Sequence, residues 1–173
     1  ARGVSDDLAK LVPVSSRIVR ADKVHLYEGL PHQYFEQDVL RMEIANKKTV
    51  NLHEFPFYAD PLPLKDADAK KLTKLFGEQT SFSPIWSLAK ACGGFHPDYC
   101  VQWKTGMEVY RVLICFGCDE FLIYGPECAV LCDMGVGIKD SLKQLLCHFV
   151  KNRPPGFRLS TPEEEAARKS DDK

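Results

Sequence analysis

Four short apolar segments in the second half constrain the fold most. They are 98–104 (DYCVQWK), 108–115 (EVYRVLIC), 119–124 (EFLIYG) and 128–133 (CAVLCD), with turn residues between them. Runs of this length, rich in Val, Ile, Leu and aromatic residues, read as strands. Thr105-Gly106 and Phe116-Gly117 each fit a two-residue hairpin loop in which glycine supplies a positive φ. Pairing Lys104 with Met107 sets Tyr99 opposite Val112 and Val101 opposite Tyr110. Pairing Cys115 with Cys118 sets Val112 opposite Phe121 and Tyr110 opposite Ile123. All of these fall on one side, as a meander with one buried face requires. Val109, Leu113, Leu122 and Tyr124 on the other side are apolar enough to be partly covered as well.

Helical patterns surround this meander. Residues 138–150 place Ile138, Leu142, Leu145, Leu146 and Phe149 on one stripe, stopped by Asn152-Arg153-Pro154-Pro155. Asp66 and Asp68 open a helix that ends at Gly77 and buries Ala69, Leu72, Leu75 and Phe76, with Asp66 as its N-cap. Its Lys70, Lys71 and Lys74 form a solvated side. Residues 35–45 carry apolar positions at helical spacing, and 48–55 alternate as a strand. Residues 16–28 suggest one or two strands. Residues 1–15 read as a loose arm, and 78–91 as a loop anchored by Phe82, Ile85 and Trp86. The fold class is therefore α+β: an antiparallel meander of four or more strands with helices on one face. One domain spans 1–155, followed by a charged, aromatic-poor, flexible tail at 156–173.

A chain of 173 residues buries enough surface to need neither metal nor disulfide for its core. The formal net charge of −1 argues against a broad nucleic-acid footprint. No apolar stretch approaches the ~20 residues of a membrane span. Seven cysteines cannot all pair internally, which leans toward reduced thiols and a cytoplasmic setting, with an exported mature form as the other option.

The chemistry is concentrated in KACGGFHPDYCVQWKTGMEVYRVLICFGC, residues 90–118. Cys115 and Cys118 flank a tight turn, and two thiolates so placed can grip one tetrahedral zinc. Cys92 and His96, four apart in a Gly-Gly loop entering the first strand, reach the same end of the sheet and complete a Cys3His set. The expectation is a non-enzymatic module in which Cys92, His96, Cys115 and Cys118 hold a structural zinc. A second reading makes Cys92 a nucleophile with His96 as its base and the Gly93-Gly94 amides as oxyanion donors. A third is an interaction or ligand-binding domain whose cysteines only pack. Disulfide-exchange catalysis fits less well, because Asp119 and Glu120 beside the CxxC raise a thiol pKa, while a labile or structural Cys115–Cys118 disulfide stays open. Cys100, Cys128, Cys132 and Cys147 read as packing residues, and His148 as a solvated edge. P-loop, GxGxxG, GxSxG and HExxH patterns are absent.

CGGFHPDYCVQW at 92–103, YRVLICFGCDEFLIYGP at 110–126, GLPHQYFE at 29–36 and FPFYADPLPL at 55–64 resemble a group of bacterial proteins with similar CGGFHPD and CFxC segments. No activity is assigned to that group. The resemblance implies a bacterial source and carries over no catalytic residue, cofactor or partner.

Overall fold

The computed structural model describes residues 3–86, 93–161, 163, 164 and 167. Its elements run α1 (Leu11–Ile18), β1 (Lys23–Glu28), α2 (Gln37–Asn46), β2 (Thr49–Leu52), β3 (Phe55–Tyr58), α3 (Asp66–Gly77), β4 (Phe82–Ser83), β5 (Tyr99–Thr105), β6 (Glu108–Cys115), β7 (Glu120–Tyr124), β8 (Ala129–Met134) and α4 (Ile138–Leu146). The mixed α+β class is as the sequence implied. The meander β5–β8 is the centre of a six-stranded antiparallel sheet ordered β1-β5-β6-β7-β8-β4.

Side-chain alternation gives this sheet two apolar faces. The first carries Val101, Trp103, Tyr110, Val112, Ile114, Phe121, Ile123 and Val130, all at most 4% exposed, and α1, α3 and α4 bury their stripes on it. Trp103 is fully buried, donates its indole N–H to Thr73 Oγ1 at 3.0 Å and meets Phe76 edge-on at 5.5 Å. The second face holds Cys100, Leu113 and Leu122, roofed by Leu52 and Phe57 of the β2–β3 hairpin. A bridge between Gly29 and Phe57 ties this hairpin to the end of β1.

Both central registers differ from the expected ones by two positions, the first with its two-residue loop moved to Gly106-Met107 and the second with a wider loop. Thr105 pairs with Glu108, so Tyr99 faces Ile114 and Val101 faces Val112. Cys115 pairs with Glu120, so Val112 faces Ile123 and Ile114 faces Phe121. A slip of two keeps every side chain on its face, which is why the apolar pattern alone does not distinguish the registers. The second loop is four residues, 116–119. Its left-handed residue is Asp119 at φ 58°, a residue type that tolerates this region, rather than Gly117. The Asp119 carbonyl accepts Met134 N–H at 2.8 Å and its carboxylate pairs with Lys139, so long-range contacts favour the wider loop.

Four other expectations are corrected. Residues 11–18 form α1, because Leu11, Val14, Ser15 and Ile18 share a buried helical face, and β1 begins only at Lys23. The segment before α1 is pinned by Ser5, which exchanges 2.8 Å backbone hydrogen bonds with Ala129 and Leu131. In 78–86, Phe82 anchors the chain as part of β4, whereas Trp86 is 84% exposed. The N-cap of α3 is Lys65, and Asp66 and Asp68 lie in its first turn, where they favour the positive end of the helix dipole.

Candidate functional site

Two stretches meet at the β5 entry. Gly93 and Gly94 take left-handed φ values of 72° and 96°, which only glycine adopts without strain. A Cβ on Gly93 would stand 2.9 Å from the Phe35 ring and 3.3 Å from His32 Cε1, so the loop passes closely beneath residues 32–35. This path brings Gly94 and His96 against the 115–118 turn. Cys118 Sγ lies 3.6 Å from Gly94 O. Cys115 Sγ accepts the N–H of Cys118 at 3.3 Å and that of His96 as well. Cys115 and Cys118 are therefore not a cross-strand pair, as first expected. One ends β6, and the other sits in the turn with its amide aimed at the first one's sulfur.

Burial, the largest influence, raises the Cys115 thiol to about 11, while its two N–H donors act the other way by favouring the thiolate. Cys115 is a free thiol, and Cys118 is disulfide-bonded. Cys92 lies outside the described residues. Among the described residues, no group of three or more His, Cys, Asp or Glu side chains is arranged to hold a metal ion.

The His96 imidazole is fixed by a backbone carbonyl. Its Nε2 lies 2.8 Å from Leu30 O. A carbonyl only accepts, so Nε2 carries the proton and Nδ1 keeps its lone pair in the neutral ring. Burial lowers the His96 pKa and favours that neutral form. His32 packs against it, with ring centroids 4.5 Å apart.

Behind the turn lies an ionic cluster that sequence reasoning missed. Arg153 donates to Gly29 O, Leu30 O, Phe157 O and Asp98 Oδ1. Asp98 Oδ2 accepts Phe116 N–H at 2.9 Å and so holds the start of the cysteine turn. Glu28, 1% exposed, accepts from the backbone N–H groups of 151–153 and from Asn152 Nδ2. A glutamate ending an apolar strand and an arginine before two prolines were the available signals, but nothing in their spacing joins them.

The remaining described cysteines pack. Burial raises Cys100 and Cys132 to about 12 and also raises Cys147. Cys147 is 3% exposed and His148 is exposed, as expected. A groove of about 1020 Å³ runs between α3 and α4, but no cysteine lines it. No protein-family model, curated protein or solved structure matches this chain.

Proposed function

We propose that the protein is a non-enzymatic α+β module in which the Cys115–Cys118 turn, with Cys92 and His96, holds a structural zinc when its thiols are reduced. The observation carrying this reading is the preparation of two donor atoms for metal. The Cys115 sulfur sits beneath two backbone N–H groups, the kind of hydrogen bonding that stabilises a metal-bound thiolate. His96 donates Nε2–H to a backbone carbonyl, the usual outer-shell partner of a ligating imidazole, and keeps a bare Nδ1. Nδ1 is the ring nitrogen nearer the main chain, whose N–H already touches Cys115 Sγ.

The disulfide at Cys118 supports a second reading, in which that sulfur belongs to a covalent staple rather than to a metal site. Metal uptake requires its reduction, so the two readings separate experimentally. Protein purified with a non-thiol reductant and no chelator is expected to carry zinc near one equivalent by elemental analysis, lost in Cys115→Ser. Cobalt substitution should give the thiolate charge-transfer and d–d bands of a tetrahedral site. A fully reduced, folded protein that takes up neither metal rejects the zinc reading. The nucleophile alternative predicts one thiol alkylated far faster than the rest. Cys115, raised to about 11, is not that thiol.

A further inference from the structure

The second sheet face carries a row of polar side chains unrelated to the cysteine turn. His25 of β1, Gln102 of β5, Arg111 of β6 and Tyr124 of β7 are successive cross-strand partners, so they form one line across four strands. The β2–β3 hairpin roofs the apolar half of this face and ends at His53, which stacks flat on Tyr124 at 3.5 Å and 3°. Arg111 Nε donates to Gln102 Oε1 at 2.8 Å, and Arg111 Nη1 lies 3.0 Å from His53 Nε2.

The guanidinium only donates, so His53 Nε2 must accept, leaving that imidazole neutral with its proton on Nδ1. Gln102, 5% exposed, has its oxygen committed to Arg111 and turns its NH2 to His25 Nδ1 at 3.4 Å. Every hydrogen-bond partner of Arg111 among the described residues is thus neutral. The ion pairs among the described residues do not include Arg111, and two of its five N–H groups account for all its described hydrogen bonds.

The next row on the same face adds charge of the same sign. Lys23 and Lys104 are direct cross-strand partners, a like-charge pairing that destabilises a sheet, and neither is in those ion pairs. Both act on His25, which places them beside the Arg111 row. Among the described residues, Glu54 acts on Tyr124 at the far end of this row.

We propose that this face binds a phosphoryl dianion, seated on the unused N–H groups of Arg111 and closed from the neighbouring row by Lys23 and Lys104. The Gln102 and His53 contacts hold the guanidinium fork in place, as a preorganised oxyanion receptor requires. The site is independent of the zinc reading, and reduction state does not enter its test.

Inorganic phosphate is titrated into the full chain at constant ionic strength, with acetate as the carboxylate control. The Arg111 Nε–H and Gln102 side-chain amide resonances report binding. Saturable shifts with phosphate are expected. Binding weakens about tenfold or more in Arg111→Gln, as loss of a charge-assisted contact implies. Exposed Lys104→Ala weakens it about two- to fivefold without disturbing the fold. Linear, non-saturating shifts, or equal responses to phosphate and acetate, overturn the proposal. So does phosphate affinity unchanged in Lys104→Ala.

Discussion

Asp98→Asn tests whether the cysteine turn depends on the ionic cluster behind it. The wild-type carboxylate serves two donors at once, Arg153 Nη1 at 3.2 Å and Phe116 N–H at 2.9 Å. An asparagine offers a single oxygen, so whichever donor loses faces an NH2 group instead. The pair is well shielded, with side chains 7% and 15% exposed. Breaking a buried pair by altering one partner costs about 3–5 kcal/mol. Arg153 keeps three carbonyl acceptors, which favours the lower end, about 3 kcal/mol. At about 2–4 °C per kcal/mol for a domain of this size, Tm falls by roughly 6–12 °C. Urea denaturation should show a lower midpoint at unchanged slope. The exposed Arg158–Glu164 pair is the control, and Glu164→Gln there should cost under about 1 kcal/mol. An Asp98→Asn variant within about 0.5 kcal/mol of wild type, the range of ordinary surface substitutions, refutes the reasoning.

Burial, and then the Arg111 guanidinium, hold the folded His53 imidazole down to about 4, below the 6.5 of an ordinary histidine. The unfolded chain therefore binds the extra proton first, and stability present above pH 6.5 is lost as pH falls toward 4. The site is half exposed, so about 1 kcal/mol is expected after screening, and His53→Gln should flatten that part of a stability–pH profile. Gly135→Ala would put a Cβ 2.0 Å from Thr80 O, so a sharply lower midpoint is expected in the same urea assay, together with loss of the β4–β8 amide protection in hydrogen exchange. Phe76→Ala removes a fully buried ring touching Trp103, Phe82 and Phe121 and should cost about 3–5 kcal/mol by denaturation, with a red-shifted Trp103 emission. Tyr58→Phe strips Glu43 of its 2.6 Å hydroxyl donor and should cost about 1–3 kcal/mol, less where Lys47 compensates.

The meander was legible because strand alternation fixes which residues share a face. Val112 and Ile123 are inside under either loop length, so the core was readable while the register was not. The difference lies in Asp119, whose carbonyl and carboxylate are engaged by Met134 and Lys139, partners that sequence spacing does not reveal. α1 was missed because Ile18 and Val19 favour strands and Pro13 suggests a break. Its buried face outweighs those preferences, and proline is tolerated in a first turn. The approach of the Gly-Gly loop to the CxxC turn was legible from strand direction, but the His96–Leu30 contact was not. It depends on where Leu30 lands after β1, through the Gly29 N–H to Asp98 carbonyl bond at 2.8 Å. The Arg111 row also escaped notice. Its members lie in five separate segments, and only the pairing of β1, β5, β6 and β7 aligns them.

Both outer strands of the large sheet, β1 and β4, come from the first half of the chain, whereas the four inner ones are consecutive in the second. A nascent polypeptide therefore exposes its two flanking pieces before anything exists for them to flank. The inner ribbon, once made, would present bare backbone on either side to any neighbouring chain until those earlier pieces return to cover it. Protection against self-association thus depends on strands remote in the chain from the ribbon they cover, and separating the halves should leave the second one prone to aggregate.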